Sequence, residues 1–200
     1  MRKAIEHLKK ADPVLADIIE RLGPYGIKFL EPDFETLVKS IVSQQLSGKV
    51  AKTIYGRLID AAGGRLTPES LLKLRPARMR ALGLSRQKIE YIRDLARHSR
   101  LGSVDFARLP DCSDDEVIEH LTAVKGIGVW TAHMFLIFAL RRTNVLPTGD
   151  LGIRAAIRKA YGLEELPKPS KIEEMARGWH PYCSVASWYL WRSLETNAGL

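Results

Sequence analysis

Almost every stretch of this 200-residue chain carries a helical period, and start and stop signals cut that period into short lengths. Asp12-Pro13 pairs an N-cap with a first helical residue and predicts a helix to about Leu22, stopped by Gly23-Pro24. Asp33 predicts a second through Ile41, Val42 and Gln44. Ser47 starts another, with Val50, Ile54, Leu58 and Ala61 on one stripe and Gly63-Gly64 as its stop. Thr67-Pro68 and Arg75-Pro76 open two short helices. Ser85 caps a longer one that turns Ile89, Ile92, Leu95 and Ala96 inward. Ser113 with Glu116, and Ser170 with Glu173, read as capping boxes, and Pro181 begins a last helix that ends near Asn197. No run alternates with the period of a strand, and no repeat of roughly 20–50 residues is present. The fold class expected is all-α.

The connections are short, so the helices pack as one domain over residues 1–200. Pro147, inside the extended stretch Arg141–Gly149, marks a seam. It suggests two lobes, one of about residues 25–142 and one of 1–24 plus 143–200, with the site in the cleft between them. A hydrophobic fraction of 46% supplies a core. No run of roughly 18 apolar residues spans a membrane, and the N-terminus lacks a hydrophobic signal stretch. Cys112 and Cys183 alone make neither a disulfide framework nor a thiolate cluster, which suits a reduced, cytoplasmic protein. His7, His98, His120, His133 and His180 show no zinc-ligand spacing with Cys or carboxylates.

Charge narrows the function classes further. Residues 49–100 hold 13 basic and 4 acidic side chains, net +9, while the whole chain is +8. A field so concentrated suits a polyanion, most economically nucleic acid, although a basic surface for solubility is the plainer account. The segment Leu121–Ala132 carries Gly126-Ile127-Gly128 between the helix capped at Ser113 and an apolar helix holding Ala132, Phe135, Leu136, Ala139 and Leu140. Two glycines around one apolar residue allow a tight hairpin, with Ile127 tucked between the helices and the second helix's first amides turned outward. An ordinary helical hairpin is the alternative; the apolar Leu121, Val124 and Ile127 and the basic surplus favour a DNA-backbone contact. After Leu146-Pro147-Thr148-Gly149 comes Asp150, where an N-cap belongs. Capping and catalysis are compatible there, because a helix N-terminus keeps a carboxylate ionised.

The run Val124–Ala132 followed by Leu146-Pro147-Thr148-Gly149-Asp150 resembles the hairpin and the Gly/Pro-rich loop plus Asp of the helix-hairpin-helix DNA glycosylases. It is most similar to the 3-methyladenine DNA glycosylase II (AlkA-like) type, over about residues 25–195. The resemblance implies a two-lobed helix-hairpin-helix fold without the extra N-terminal β domain of longer members. It implies Asp150 as the catalytic carboxylate, stabilising positive charge on the sugar or helping to deliver water. Family members that also nick the strand carry a lysine two residues after the second hairpin glycine. Here Trp130 stands there, so the resemblance is to the monofunctional branch, which leaves an abasic site. The four-cysteine iron–sulfur pattern of the endonuclease III relatives is absent.

The same resemblance distributes further roles. Five of the 15 aromatic residues fall in 179–191: Trp179, Tyr182, Trp188, Tyr189 and Trp191. Trp179 and Trp188 read as core, while Trp130, Met134 and Trp191 would line the pocket for a flipped, cationic base. Gln45 or Leu46 in Ser43–Ser47 would be the wedge that fills the gap left by the flipped nucleotide. Lys125, Gly126, Gly128 and Thr131 would meet the DNA backbone. No cofactor is required; a Na+ or K+ ion on backbone carbonyls is a family feature, and Thr122, Val124 and Ile127 are the matching positions. The implied partner is double-stranded DNA with alkylated bases (3-methyladenine, then 7-methylguanine), bound by a monomer without a membrane, in the cytoplasm or at the nucleoid, or in a nucleus. The competing functions are a non-enzymatic helix-hairpin-helix DNA-binding module and a glycosylase for oxidised or mismatched bases.

Overall fold

The cap signals become helix starts. The structure, a computed structural model, describes residues 1–195. Among these are twelve α-helices and two short 3-10 turns, with no strand. Helices α1 (Arg2–Ala11), α2 (Pro13–Leu22), α10 (Leu151–Ala160), α11 (Pro169–Met175) and α12 (Cys183–Glu195) belong to one compact unit, Met1–Phe29 with the chain from Arg141. Helices α3 (Phe34–Ser43), α4 (Gly48–Ala61), α5 (Pro68–Lys73), α6 (Pro76–Ala81), α7 (Arg86–Arg100), α8 (Asp114–Thr122) and α9 (Val129–Phe138) make the other, Leu30–Leu140.

Asp33, Thr67, Ser85, Ser113 and Asp150 each accept a backbone N–H of the helix they precede, and Asp12 accepts two. The Ser113–Glu116 box closes in both directions. Ser47 starts α4 as expected, and three other local expectations are corrected. Ser47 occupies the N-cap position but makes no side-chain cap bond. Val50, placed on the inward stripe of α4, is 46% exposed, because it lies in the first turn before the helix reaches Ala51, Ile54 and Leu58 in the core. Helix α11 starts two residues earlier than a Ser170 box requires, with Lys168 as its N-cap, since Pro169 is preorganised as its first residue. Helix α12 starts at Cys183 and not at Pro181, because the Tyr182 amide turns back to Trp179 O at 2.7 Å. Its end near Asn197 lies outside the described residues.

Helix α1 carries no cap signal and was not foreseen. It has Met1 as its N-cap, four basic residues and few apolar ones. Burial holds it: Ala4 and Leu8 enter the core, Lys9 pairs with Glu20 at 2.7 Å, and His7 Nε2 meets Gly178 O at 2.9 Å.

That core is organised around one carboxylate. Asp12 is buried. Its Oδ1 accepts the Val14 and Leu15 amides at 3.0 and 3.1 Å. Its Oδ2 accepts the Tyr161 hydroxyl at 2.5 Å and the Trp179 indole N–H at 2.8 Å. Leu15, Ile18, Ile153, Ile157, Trp179 and Leu190 belong to the buried core of the same unit. Burial, then the Asp12 contact, pushes the Tyr161 hydroxyl well above the usual tyrosine range. In the other unit, the buried faces of α3 (Leu37, Val38, Ile41) and α7 (Ile92, Leu95) pack together, and Phe34, Phe106 and Phe135 stack edge-on in series at 6.2 Å.

Asp12→Ala should lower unfolding free energy by about 3 kcal/mol, because it removes a cap and strands two buried donors. Urea titration followed by tryptophan fluorescence measures this. A loss below about 1 kcal/mol would show that this carboxylate is dispensable.

Candidate active site

Asp150 owes its position to the segment before it. Residues 143–145 are pinned to the start of α12: the Ser184 amide donates to Thr143 O at 2.9 Å, and the Val145 amide donates to Ser184 Oγ at 2.9 Å. Pro147 then turns the chain, the Asp150 amide bonding to Pro147 O at 2.9 Å. The carboxylate that follows is 8% exposed. Its Oδ1 accepts the Ile153 amide at 2.7 Å and the Trp191 indole N–H at 2.8 Å. A buried carboxylate held by charge-assisted hydrogen bonds has a fixed direction and a favourable helix dipole. Trp191 is therefore tied to Asp150 as well as being half-exposed. Trp188 is half-buried against Tyr25, ring centroids 4.7 Å apart, and Trp179 is fully buried. Burial pushes the Tyr25 hydroxyl up to about 12.

The hairpin belongs to the other unit. Gly126 has φ of +80°, and a Cβ there would fall 2.0 Å from the Tyr91 ring, so both backbone and packing demand glycine. Ile127 is buried at 4% exposure, as expected of the residue between the helices. Gly128 is different: its φ is −99° and a Cβ would meet nothing within 4 Å. The folded chain does not require glycine there; what glycine leaves is open surface. Gly128 is the N-cap of α9 and provides no side-chain cap, and Val129 and Trp130 behind it are 52% and 51% exposed. The first turn of α9, Val129 to Thr131, thus receives no side-chain cap from its own N-cap residue. The Thr131 side chain itself is buried at 6% exposure, so only its main chain belongs to that start. Lys125 stands beside the turn. Its Nζ is 2.7 Å from Glu90 Oε1 and its amide donates to Asp94 Oδ2 at 3.0 Å, so its charge is shared with α7.

Met134 and Thr131, with Phe135 and Phe138, wall a cavity of about 440 Å³ against α3, a cavity that Trp130 does not line. Thr122 Oγ1 bonds Ile118 O at 2.7 Å, and Val124 O accepts the Ile127 amide at 3.1 Å. Burial pushes His133 below the usual histidine range. Among the described residues, no group of three His, Cys, Asp or Glu side chains is placed to hold a metal ion, and no helix is long and apolar enough to cross a membrane.

The corner Ser43–Ser47 is exposed at Gln45 and Leu46, and Gln45 takes a left-handed φ of +55°. Three residues that sequence reasoning did not single out hold it. Gln44 Nε2 donates to Gly126 O at 3.0 Å, tying the corner to the hairpin. Lys88 Nζ donates to Val42 O and Gln44 O, both at 2.6 Å. Tyr91 backs the hairpin glycine. Lys88 counts in the basic surplus but spends its ammonium on backbone carbonyls, and burial lowers its pKa. Arg93 likewise donates to Leu72 O and Leu74 O. Nothing in the local sequence marks these two as inward-facing, since both lie on a helix rich in exposed basic residues.

The chain is similar to known proteins along most of its length. The family model described as "HhH-GPD superfamily base excision DNA repair protein" matches residues 38–181. A putative DNA-3-methyladenine glycosylase of Bacillus subtilis, YfjP, is 33% identical, over 98% of this chain and 70% of its own. Among solved structures, a DNA-3-methyladenine glycosidase from Bacillus halodurans superposes with a TM-score of 0.89 at 40% identity, covering 98% of this chain and 90% of that one. The Schizosaccharomyces pombe 3-methyladenine DNA glycosylase Mag1, in complex with abasic DNA, does so with a TM-score of 0.84 at 32% identity, covering 96% and 97%.

The two hairpin glycines should separate cleanly. Gly126→Ala should lose about 1–3 kcal/mol of stability from its positive φ and the Tyr91 contact. Gly128→Ala should lose less than about 1 kcal/mol, the difference between two N-cap residues. Equal losses in thermal or urea unfolding would contradict the distinct demands at these sites.

Proposed function

The chain belongs to the HhH-GPD superfamily of base excision DNA repair proteins, and from that membership we propose that it is a monofunctional DNA glycosylase that hydrolyses the base–sugar bond of alkylated purines. The observation that carries the reading is the Asp150 carboxylate, buried at a helix N-terminus and aimed by the Ile153 amide and the Trp191 indole. Its partner is double-stranded DNA containing such bases, bound by a monomer wherever the cell keeps its DNA.

The hairpin supplies the grip. Backbone amides at the start of α9, with Gly126 and Gly128 giving close access, hold a phosphate, and Lys125 adds charge beside them. Such contacts position the duplex without reading sequence. The other exposed basic side chains of 49–100 add a salt-dependent attraction. Gln45 or Leu46, presented on the exposed corner braced by Lys88, fills the gap when the damaged nucleotide swings out. Trp130, Met134 and Trp191 are the candidates for contact with the flipped base.

The reaction breaks the C1′–N bond. The electron pair leaves with the purine and cancels the positive charge that alkylation put on the ring, so no strong general acid is needed. Positive charge develops on the sugar, where the fixed negative charge of Asp150 stabilises it. Water adds its oxygen to C1′ and gives up a proton, to Asp150 or to solvent, leaving an abasic site. With Trp130 where a strand-nicking relative carries lysine, no amine is placed to attack C1′. The chemistry needs no cofactor. A Na+ or K+ ion on the carbonyls of Thr122, Val124 and Ile127 fits the turn in one respect: Val124 O, already an acceptor, has a second lone pair.

The direct test is to incubate the protein with methylated duplex DNA and chromatograph the released bases. Wild type should release 3-methyladenine and leave an intact strand that breaks only with alkali or heat. Asp150→Asn should slow single-turnover release by at least about 100-fold with DNA affinity kept or raised. A variant at the wild-type rate would reduce Asp150 to a helix cap.

Ring faces attract cations by about 0.5–2 kcal/mol. Trp130→Ala should therefore reduce the rate ratio of 3-methyladenine to neutral hypoxanthine by about twofold to thirtyfold. A panel of single-lesion duplexes measures the ratio; an unchanged value would remove Trp130 from the base pocket.

A further inference from the structure

Two aspartates in this unit cap helices and also accept an indole N–H, and they do so differently. At Asp12, the amides of Val14 and Leu15 take Oδ1, and the Trp179 indole takes Oδ2. At Asp150, the Ile153 amide and the Trp191 indole converge on the same oxygen, Oδ1. At Asp150 the indole that shares the capping oxygen comes close to the second residue of α10, Gly152.

The space at Gly152 is already taken. A Cβ there would stand 3.0 Å from Asp150 Oδ1, 3.0 Å from Trp191 Cδ1 and 3.2 Å from Trp191 Nε1. Carbon contacts normally settle at about 3.5–4.0 Å. Its φ is not positive, so the backbone itself does not call for glycine. Alanine is the better helix former at an interior position. Glycine in the first turn of α10 therefore weakens the helix and serves the contact above it.

We propose that Gly152 is a positioning residue for base release: lacking a Cβ, it lets the Trp191 indole settle on the oxygen that caps α10 and so sets the direction of the Asp150 carboxylate. The inference rests on the reading of Asp150 as the catalytic carboxylate. A methyl group at 152 presses on both, and the indole or the carboxylate has to give by a few tenths of an ångström, which displaces the shared geometry. Misplacing a reacting group by about 1 Å can cost about 100-fold in rate.

The test compares wild type, Gly152→Ala, Trp191→Phe, the double variant and Asp150→Asn. Gly152→Ala, which displaces the pair by a few tenths of an ångström and not by a full one, should slow single-turnover release of 3-methyladenine by about fivefold to tenfold. Affinity for a duplex carrying a stable abasic analogue should hold within about threefold, and the melting temperature should shift by less than about 4 °C. In the Trp191→Phe background the same substitution should slow release by less than about threefold, because both act through one contact. The Trp191 indole N–H resonance should also move in Gly152→Ala, a shift that a general loss of helix stability would not localise. If Asp150→Asn is inactive while Gly152→Ala keeps the wild-type rate, the proposal fails and the catalytic reading survives. If Asp150→Asn stays active, the catalytic reading fails, and with it the claim that Gly152 serves base release. An unmoved indole resonance overturns the proposal in either case, and a melting temperature lowered by more than about 4 °C with additive rate losses marks Gly152 as merely structural.

Discussion

Short helices have many ends, and each end leaves backbone N–H or C=O groups that must find a partner. Among the described residues no α-helix exceeds the fifteen residues of α7, so helix ends govern this fold more than helix middles do. Six of the twelve starts are closed by a side chain one step upstream: Asp12, Asp33, Thr67, Ser85, Ser113 and Asp150. The same requirement explains where chemistry becomes available. A start closed by a carboxylate holds a fixed negative charge in a defined direction. A start whose N-cap residue has no side chain, as at Gly128, leaves the capping place open to other acceptors.

Asp12 and Asp150 illustrate how one device serves two ends. Both are buried N-caps, and both accept an indole N–H from the C-terminal part of the chain. Asp12 distributes its donors over both oxygens, with Tyr161 as a further partner, and welds α2 to the end of α10. Asp150 gathers an amide and an indole on one oxygen. The first arrangement is that of a structural staple. In the second, an amide of the helix it caps and an indole of α12 aim at one oxygen, and such a fixed direction would suit a group that meets a developing charge without reorganising.

The hairpin unit follows the same economy. Gly126 is required by the fold, through its positive φ and the Tyr91 ring, whereas Gly128 is required by nothing inside the chain. Gln44 and Lys88 join the exposed corner to the hairpin and to α7 through backbone carbonyls. The corner that would enter the DNA is thereby held by the elements that would grip it, and part of the basic surplus is structural. Net charge along a stretch of sequence measures an attraction for polyanions only after such inward-facing cations are set aside.

Much of this was legible in the chain itself. Cap residues are local chemistry, so the helix starts at Pro13, Phe34, Pro68, Pro76, Arg86 and Asp114 could be read directly, as could Gly126-Ile127-Gly128 and the capping position of Asp150. Helix α1, with no cap signal and a mostly basic composition, could not, because only burial against the rest of its unit makes it helical. The exposed Val50, the inward Lys88 and the buried Thr131 side chain were equally out of reach, since a side chain's surroundings come from other elements. Local sequence established which backbone groups need partners and which residues stand next to them. Tertiary structure decided which distant side chains arrive: the Trp191 indole on Asp150, the Trp179 indole on Asp12, and the room at Gly152 that makes the first possible. Hydrogen bonds across 41 and 167 residues depend on helix packing, and packing is a property of the assembled core that no local pattern carries.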